Sequence, residues 1–239
     1  REQGFQTASS AFYHAIFLSE EANFNDYIDL AHAANHQQDA RQWAVVVLTS
    51  LQALWPEHSL AAFWRGNTYY RLAEANGENS ADYQLAVDEY QKAFSLGIGD
   101  TPFELQTHVN LADSLRGVGK PQVALEHYRK ALLINPNSSK TRGELGSTLY
   151  RLGQTVEGLR ELKRACEGNP RDGYARTHLA SLYMEQNKFG EAEDELRAVI
   201  DTGFIFGRTY FLLAKVMMKA GKFESAAENY SLAVQNNWS

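Results

Sequence analysis

Apolar residues recur at helical spacing along most of this chain, and the stripes break at regular intervals. Leu111, Ala112 and Leu115 form one stripe; after a break at Gly119, Ala124, Tyr128 and Ala131 form another. Spacing of this kind puts apolar side chains on one helix face, so the pattern predicts two short amphipathic helices joined by a tight turn. Pro121 suits the first turn of the second helix, and Pro136 closes the unit because proline cannot sit inside a continuing helix. The scheme returns over 139–172 with Leu145, Gly146, Leu149, Gly153, Gly158, Leu162, Ala165 and Pro170. It returns again over 173–206 with Leu179, Ala180, Asn187, Ala192, Leu196 and Val199. A last copy over 207–239 offers Leu213, Ala214, Met217, Gly221, Ala226 and Ala233.

The breaks set the period. Gly119, Gly153 and Gly221 share one register of 34 residues, and Asn187 fills the remaining slot. Glycine and asparagine tolerate the positive φ that ends one helix and starts the turn to the next. Small residues follow the same register: Ala112, Gly146, Ala180 and Ala214 on the first helices, Ala124, Gly158, Ala192 and Ala226 on the second. Helices approach closely only where the contact lacks bulk, so these positions predict the crossing within each pair. A repeat of this length with one tight turn per unit predicts an all-α fold, an α-solenoid.

These units resemble the tetratricopeptide repeat in their small and large positions, inter-helix glycine and closing proline. The resemblance is specific over 105–239 and looser over 25–104. It implies a right-handed superhelix spanning 25–239 as one domain, with repeats 25–58, 59–104, 105–138, 139–172, 173–206 and 207–239. Upstream, Ala62–Leu72 reads as a first helix and Tyr83–Leu96 as its partner, with a lengthened connection from Glu74 to Ala81 and 4 further residues near Gly99–Pro102. The 25–58 unit is degenerate and anchored by Ala44, Leu48, Leu51 and Pro56. Residues 1–24 are expected to supply a leading helix around Ala8–Ala22.

By the same resemblance, first helices line a concave groove that binds a peptide or partner segment. Carried over position by position, the lining comprises Phe63, Asn67, Tyr70, Arg71, Asn110, Arg116, Lys140, Tyr150, Arg151, Tyr174 and His178. Amides there can pair with a peptide backbone while cations take carboxylates. A subclass, the chaperone-tail co-chaperones, clamps a terminal carboxylate with Lys and Asn, then Asn, then Lys and Arg. Asn67, Asn110 and Lys140 match that pattern, but Phe63 replaces the first lysine and Glu144 the last arginine. A carboxylate at 144 would repel the ligand, which argues against the clamp.

Composition narrows the function further. The 239 residues carry a net charge of −6, which argues against nucleic acid. Residues 1–104 hold 5 basic and 14 acidic side chains, residues 105–176 hold 12 and 7, and residues 177–239 hold 6 and 8. The basic middle segment suits an acidic partner, or simply solvates outer helix faces. The longest apolar run, Trp43–Leu48, is far too short to span a bilayer. Cys166 is the only cysteine, which excludes a disulfide framework and an all-cysteine metal site; it reads as a small buried residue. That usage fits a reducing cytoplasm, and a disulfide-free periplasmic domain would look the same. Three glycosylation triplets, at Asn137, Asn229 and Asn237, stand without other signs of secretion.

No phosphate loop, nucleophile elbow or other catalytic set is visible. His32 and His36 stand one helical turn apart, but without a third ligand they read as surface or packing histidines. The acidic run Glu191–Glu195 lies near a helix start, where the dipole favours negative charge. The expectation is therefore a non-catalytic interaction scaffold with no cofactor and no metal. The chain begins at Arg1 and lacks a polar closing helix after Ala233, with Trp238 where a proline would close the unit. Those ends suggest a larger parent, such as a glycosyltransferase or sulfotransferase, or self-association of the last helix through exposed apolar surface.

Overall fold

The structure is a computed structural model that describes residues 23–35, 41–77, 81–171, 173–203 and 207–236, with backbone alone for 32–35 and Asp100. The expected leading helix at Ala8–Ala22, His36, the side chain of His32, and Trp238 lie outside the described residues. The described residues contain twelve α-helices, one 3-10 turn and no strand. Contacts gather them into two compact units, 1–131 and 132–239.

The first unit contains α1 (Phe24–Asn35), α2 (Arg41–Leu54), α3 (Ser59–Asn76), α4 (Asp82–Ser95), α5 (Glu104–Gly117) and most of α6 (Pro121–Ile134). Ala44, Val47, Leu48 and Leu51 of α2 are buried with Tyr27, Leu30 and Ala31 of α1 and Ala61 of α3. The degenerate repeat thus keeps a core although its turn signals are weak. α3 runs three residues further than the expected start of the long connection, through Glu74–Asn76, and ends where Gly77 adopts φ 88°. Glutamate and alanine are good helix formers, so the helix continues until glycine stops it.

The second unit contains α7 (Ser139–Arg151), α8 (Thr155–Gly168), α9 (Gly173–Glu185), α10 (Phe189–Asp201), α11 (Gly207–Lys219) and α12 (Phe223–Gln235). Leu162, Ala165, Cys166, Ala175, Leu179 and Leu182 form one core cluster. Ala180, Ala192, Leu196, Leu213, Val216, Met217 and Ala226 form the next. Cys166 is buried, as its position beside Ala165 predicts. The last helix leaves Phe223 64% and Val234 71% exposed.

The periodic turns share one geometry. Gly119, Gly153, Asn187 and Gly221 have φ of 76°, 80°, 60° and 76°. At each, the following residue donates its N–H to the carbonyl five residues back: Lys120 to Leu115, Gln154 to Leu149, Lys188 to Tyr183 and Lys222 to Met217, at 2.8–3.0 Å. The turn residue itself donates three residues back, which completes a Schellman cap. Asn187 is the one described non-glycine residue with positive φ. Asn187→Gly is therefore expected to leave stability unchanged or raise it by about 0.5 kcal/mol, and Asn187→Val to lower it by about 1–2 kcal/mol. Thermal melts of the two variants check this; equal losses in both would contradict it.

Within each helix pair the small residues share the repeat register, and between α7 and α8 they meet as predicted. The crossing of α7 on α8 brings backbone against backbone. A Cβ placed on Gly158 would lie 2.7 Å from the Gly146 carbonyl oxygen and 2.8 Å from the Tyr150 nitrogen. Polar pairs also join the two helices. Arg65 of α3 meets Glu89 of α4 at 3.1 Å, Arg142 of α7 meets Glu161 of α8 at 2.7 Å, and Arg176 of α9 meets Glu195 of α10 at 2.5 Å. Burial raises the pKa of Glu89, and Arg65 partly offsets the shift.

Candidate functional site

In the first unit, α3 and α5 carry the candidate residues, held from behind by tyrosines of α4 and α6. Asn67 Oδ1 accepts from the Tyr90 hydroxyl and from Asn110 Nδ2, each at 2.7 Å. Asn110 Oδ1 in turn accepts from Gln106 Nε2 at 2.5 Å. These bonds engage neither hydrogen of the Asn67 amide. The Tyr128 hydroxyl donates to Asp113 Oδ1 in a short contact. Both tyrosines are fully buried, and burial raises the Tyr90 pKa well above its ordinary value. They are buried props that fix the amide and carboxylate of the first-helix face.

Tyr70 lies one turn beyond Asn67 on α3. Its hydroxyl donates to Glu74 Oε1 at 3.0 Å, and its ring meets Tyr83 of α4 edge-on at 6.1 Å. Its pKa is raised, first by burial and then by the Asp113 and Glu74 carboxylates. Arg71 is half-buried, and its carbonyl accepts from Arg41 Nη1 at 3.3 Å. Arg116 is half-buried near the end of α5. The structure thus joins Asn67 and Asn110 in one hydrogen-bonded network, with Tyr70 bonded to Glu74 one turn further along α3.

Phe63 does not join them. It is 2% exposed and packs against Trp64, Tyr90 and Phe103, with ring centroids at 5.2, 6.4 and 5.2 Å. The 3-10 turn at Ile98–Asp100 occupies the irregular stretch before α5, just ahead of Phe103. Phe63 is core, and its assignment to the lining is corrected here.

In the second unit, Lys140 and Arg151 are exposed on α7, at opposite ends of the helix. Tyr150 is raised in pKa, first by burial and then by its hydrogen bond to Glu185, which ties α7 to α9. The rings of Tyr174 and His178 on α9 lie 4.4 Å apart, and Tyr174 covers Gly143 of α7. Glu144 is buried, and its carbonyl accepts from Thr148 Oγ1 at 2.8 Å. A buried carboxylate at this position does not supply the cation that a terminal-carboxylate clamp requires.

The arrangement is rich in amides, phenols and fixed charges. Among the described residues, no three His, Cys, Asp or Glu side chains converge as metal ligands. No helix among them is long and apolar enough to cross a membrane. The periodicity placed Tyr128 in the apolar stripe of its helix; the hydroxyls of Tyr128 and Tyr90, buried yet partnered by first-helix polar residues, are the part it missed.

Comparison with known proteins agrees with this architecture. The tetratricopeptide repeat family model matches residues 109–173, 144–203 and 177–239. The Photosystem I assembly protein Ycf3 of Synechococcus sp. (strain CC9605) is 32% identical over 89 residues, covering 37% of this chain and 50% of that protein. The chain therefore spans about half the length of this curated relative. A tetratricopeptide repeat protein from Parabacteroides merdae ATCC 43184 superposes with a TM-score of 0.76 at 18% identity, covering 99% of this chain and 89% of that one. YrrB, described as a TPR protein with an unusual peptide-binding site, superposes with a TM-score of 0.59 at 22% identity, covering 81% and 93%. With its 34-residue register, repeated Schellman turns and a family model matched over more than half its length, this chain belongs to the tetratricopeptide repeat family.

Proposed function

We propose that this chain is a non-catalytic scaffold that holds an extended segment of a partner protein along its first helices, with 25–239 acting as one array of six repeats. The observation that carries the reading is the Asn67–Asn110 bond between successive first helices, propped by the buried Tyr90 hydroxyl. An amide fixed in this way is preorganised, so little rotamer entropy is lost when a peptide backbone pairs with it. Lys140 and Arg151 add exposed cations suited to carboxylates on the partner. The peptide-binding site named for YrrB supports the same use of the fold.

A second reading is a role in assembling a multiprotein complex, favoured by the likeness to a photosystem assembly protein over 89 residues. Both readings use the same face, and partner capture separates them from an idle face. Wild type and an Asn110→Ala/Lys140→Glu/Arg151→Glu variant are compared as baits. With about 1 kcal/mol lost per missing amide contact and more per reversed charge, retention of specific partners is expected to fall at least about tenfold. Identical partner profiles from the two baits would exclude the first-helix face.

A further inference from the structure

Two of the ion pairs between paired helices, Arg142–Glu161 and Arg176–Glu195, obey the repeat register. Arg176 lies 34 residues after Arg142, and Glu195 lies 34 residues after Glu161. One step back along the same register are His108 on α5 and His127 on α6. Their Nδ1 atoms are 3.0 Å apart, so two imidazoles stand where the following repeats place arginine and glutamate. The Phe94 ring of α4 packs on both, at 4.5 and 6.3 Å. Glu104, one turn before His108 on α5, places Oε1 3.8 Å from His108 Nε2. Lys130 and Glu126 of α6 are the other charges that act on the pair.

With a proton on His108 Nε2, the ring nitrogen that faces Glu104, His108 Nδ1 accepts the proton that His127 Nδ1 donates. Two neutral imidazoles make this bond, and one shared extra proton preserves it. Two imidazolium rings cannot, because two N–H groups would then meet head to head. We infer that the His108–His127 pair is an acid-operated release between α5 and α6, opening this repeat under conditions in which the Arg142–Glu161 and Arg176–Glu195 pairs hold their own helices together.

Burial, as the larger cause, and then the partner imidazole bring the His108 pKa down to about 4; burial and Lys130 lower that of His127. A histidine whose folded pKa lies below its open value of about 6.5 stabilises fully above that value. The stabilisation is lost as pH falls from there toward the folded pKa. Between pH 7 and pH 5, a single imidazole released on opening raises the opening constant by more than about tenfold.

Hydrogen exchange of the intact chain at pH 7 and pH 5, corrected for intrinsic rates, reads this directly. The amides of α5 and α6 are expected to open at least about tenfold more readily at pH 5, while those of α7 to α10 change by less than about threefold. His108→Arg/His127→Glu, which installs the neighbouring rung, is expected to abolish the difference. If that variant does not fold, His127→Gln keeps an amide donor and is expected to reduce the difference. An unchanged α5–α6 opening in the wild type, an undiminished response in the variant that folds, or two histidines titrating near 6.5 by NMR would each overturn the proposal.

Discussion

Gly158→Val is expected to lower the stability of the 132–239 unit by about 3 kcal/mol, the largest effect foreseen for a single side chain. The obstacles are backbone atoms, which cannot swing aside: the Gly146 carbonyl oxygen at 2.7 Å and the Tyr150 nitrogen at 2.8 Å from the added Cβ. On the facing side, a Cβ on Gly146 would meet Leu162 at 2.8 Å. The other recognised pairs carry alanine at both positions, Ala112 with Ala124, Ala180 with Ala192 and Ala214 with Ala226. A β-branched residue therefore forces α7 and α8 apart and breaks packing on both sides of the crossing. Gly190 is the control, since nothing lies within 4 Å of its added Cβ. Gly190→Ala is expected to leave stability unchanged or raise it by up to about 1 kcal/mol. Urea denaturation with hydrogen exchange on α7 and α8 measures both, and equal midpoints for wild type and Gly158→Val would refute the close crossing.

The second large loss is expected at Glu161. Glu161 is 6% exposed, and its carboxylate accepts from Arg142 at 2.7 Å and Arg164 at 3.2 Å, with Arg160 at 3.5 Å. Glu161→Ala removes the partner of Arg142, whose side chain is 21% exposed and also donates to the Pro136 carbonyl at 2.7 Å. Stranding that guanidinium is expected to cost about 2–3 kcal/mol, less than for a fully buried pair because Arg142 keeps some solvent and one carbonyl. Arg160 and Arg164 are more than half exposed and contribute little of this. Arg142→Met/Glu161→Leu is expected to recover most of the loss, because two apolar groups leave no charge unmatched. Denaturation midpoints of the single and double variants form the cycle. A double variant as unstable as Glu161→Ala would show that the pair contributes shape rather than charge.

The turns and the close crossings were legible in the sequence because few residues can occupy them. Positive φ admits little besides glycine and asparagine, and a crossing of two backbones admits little besides glycine and alanine. The cross-helix pairs were not legible as pairs. Arg142, Arg176, Glu161 and Glu195 read singly as solvated charges or dipole partners, and only their common register reveals that each cation has a fixed anion. Glu193 likewise holds Arg197 and Lys222, at 2.8 Å each, beyond any preference for a helix start. Among the candidate residues, Asn67 and Asn110 sit in one network because register alone determines which side of α3 and α5 they face. Phe63 failed for the opposite reason. The irregular turn before α5 places Phe103 against it, and among the described residues the regular repeats contain no equivalent of that turn.

The ion pairs have a consequence for how such a chain can lengthen. Both members of each rung, Arg142 with Glu161 and Arg176 with Glu195, lie inside one repeat rather than straddling two. Duplicating or deleting a whole 34-residue segment copies or removes cation and anion together. Gene segments of this kind can multiply without orphaning either member of such a rung, and a rung rewritten as two histidines changes its own repeat without demanding a compensating change next door.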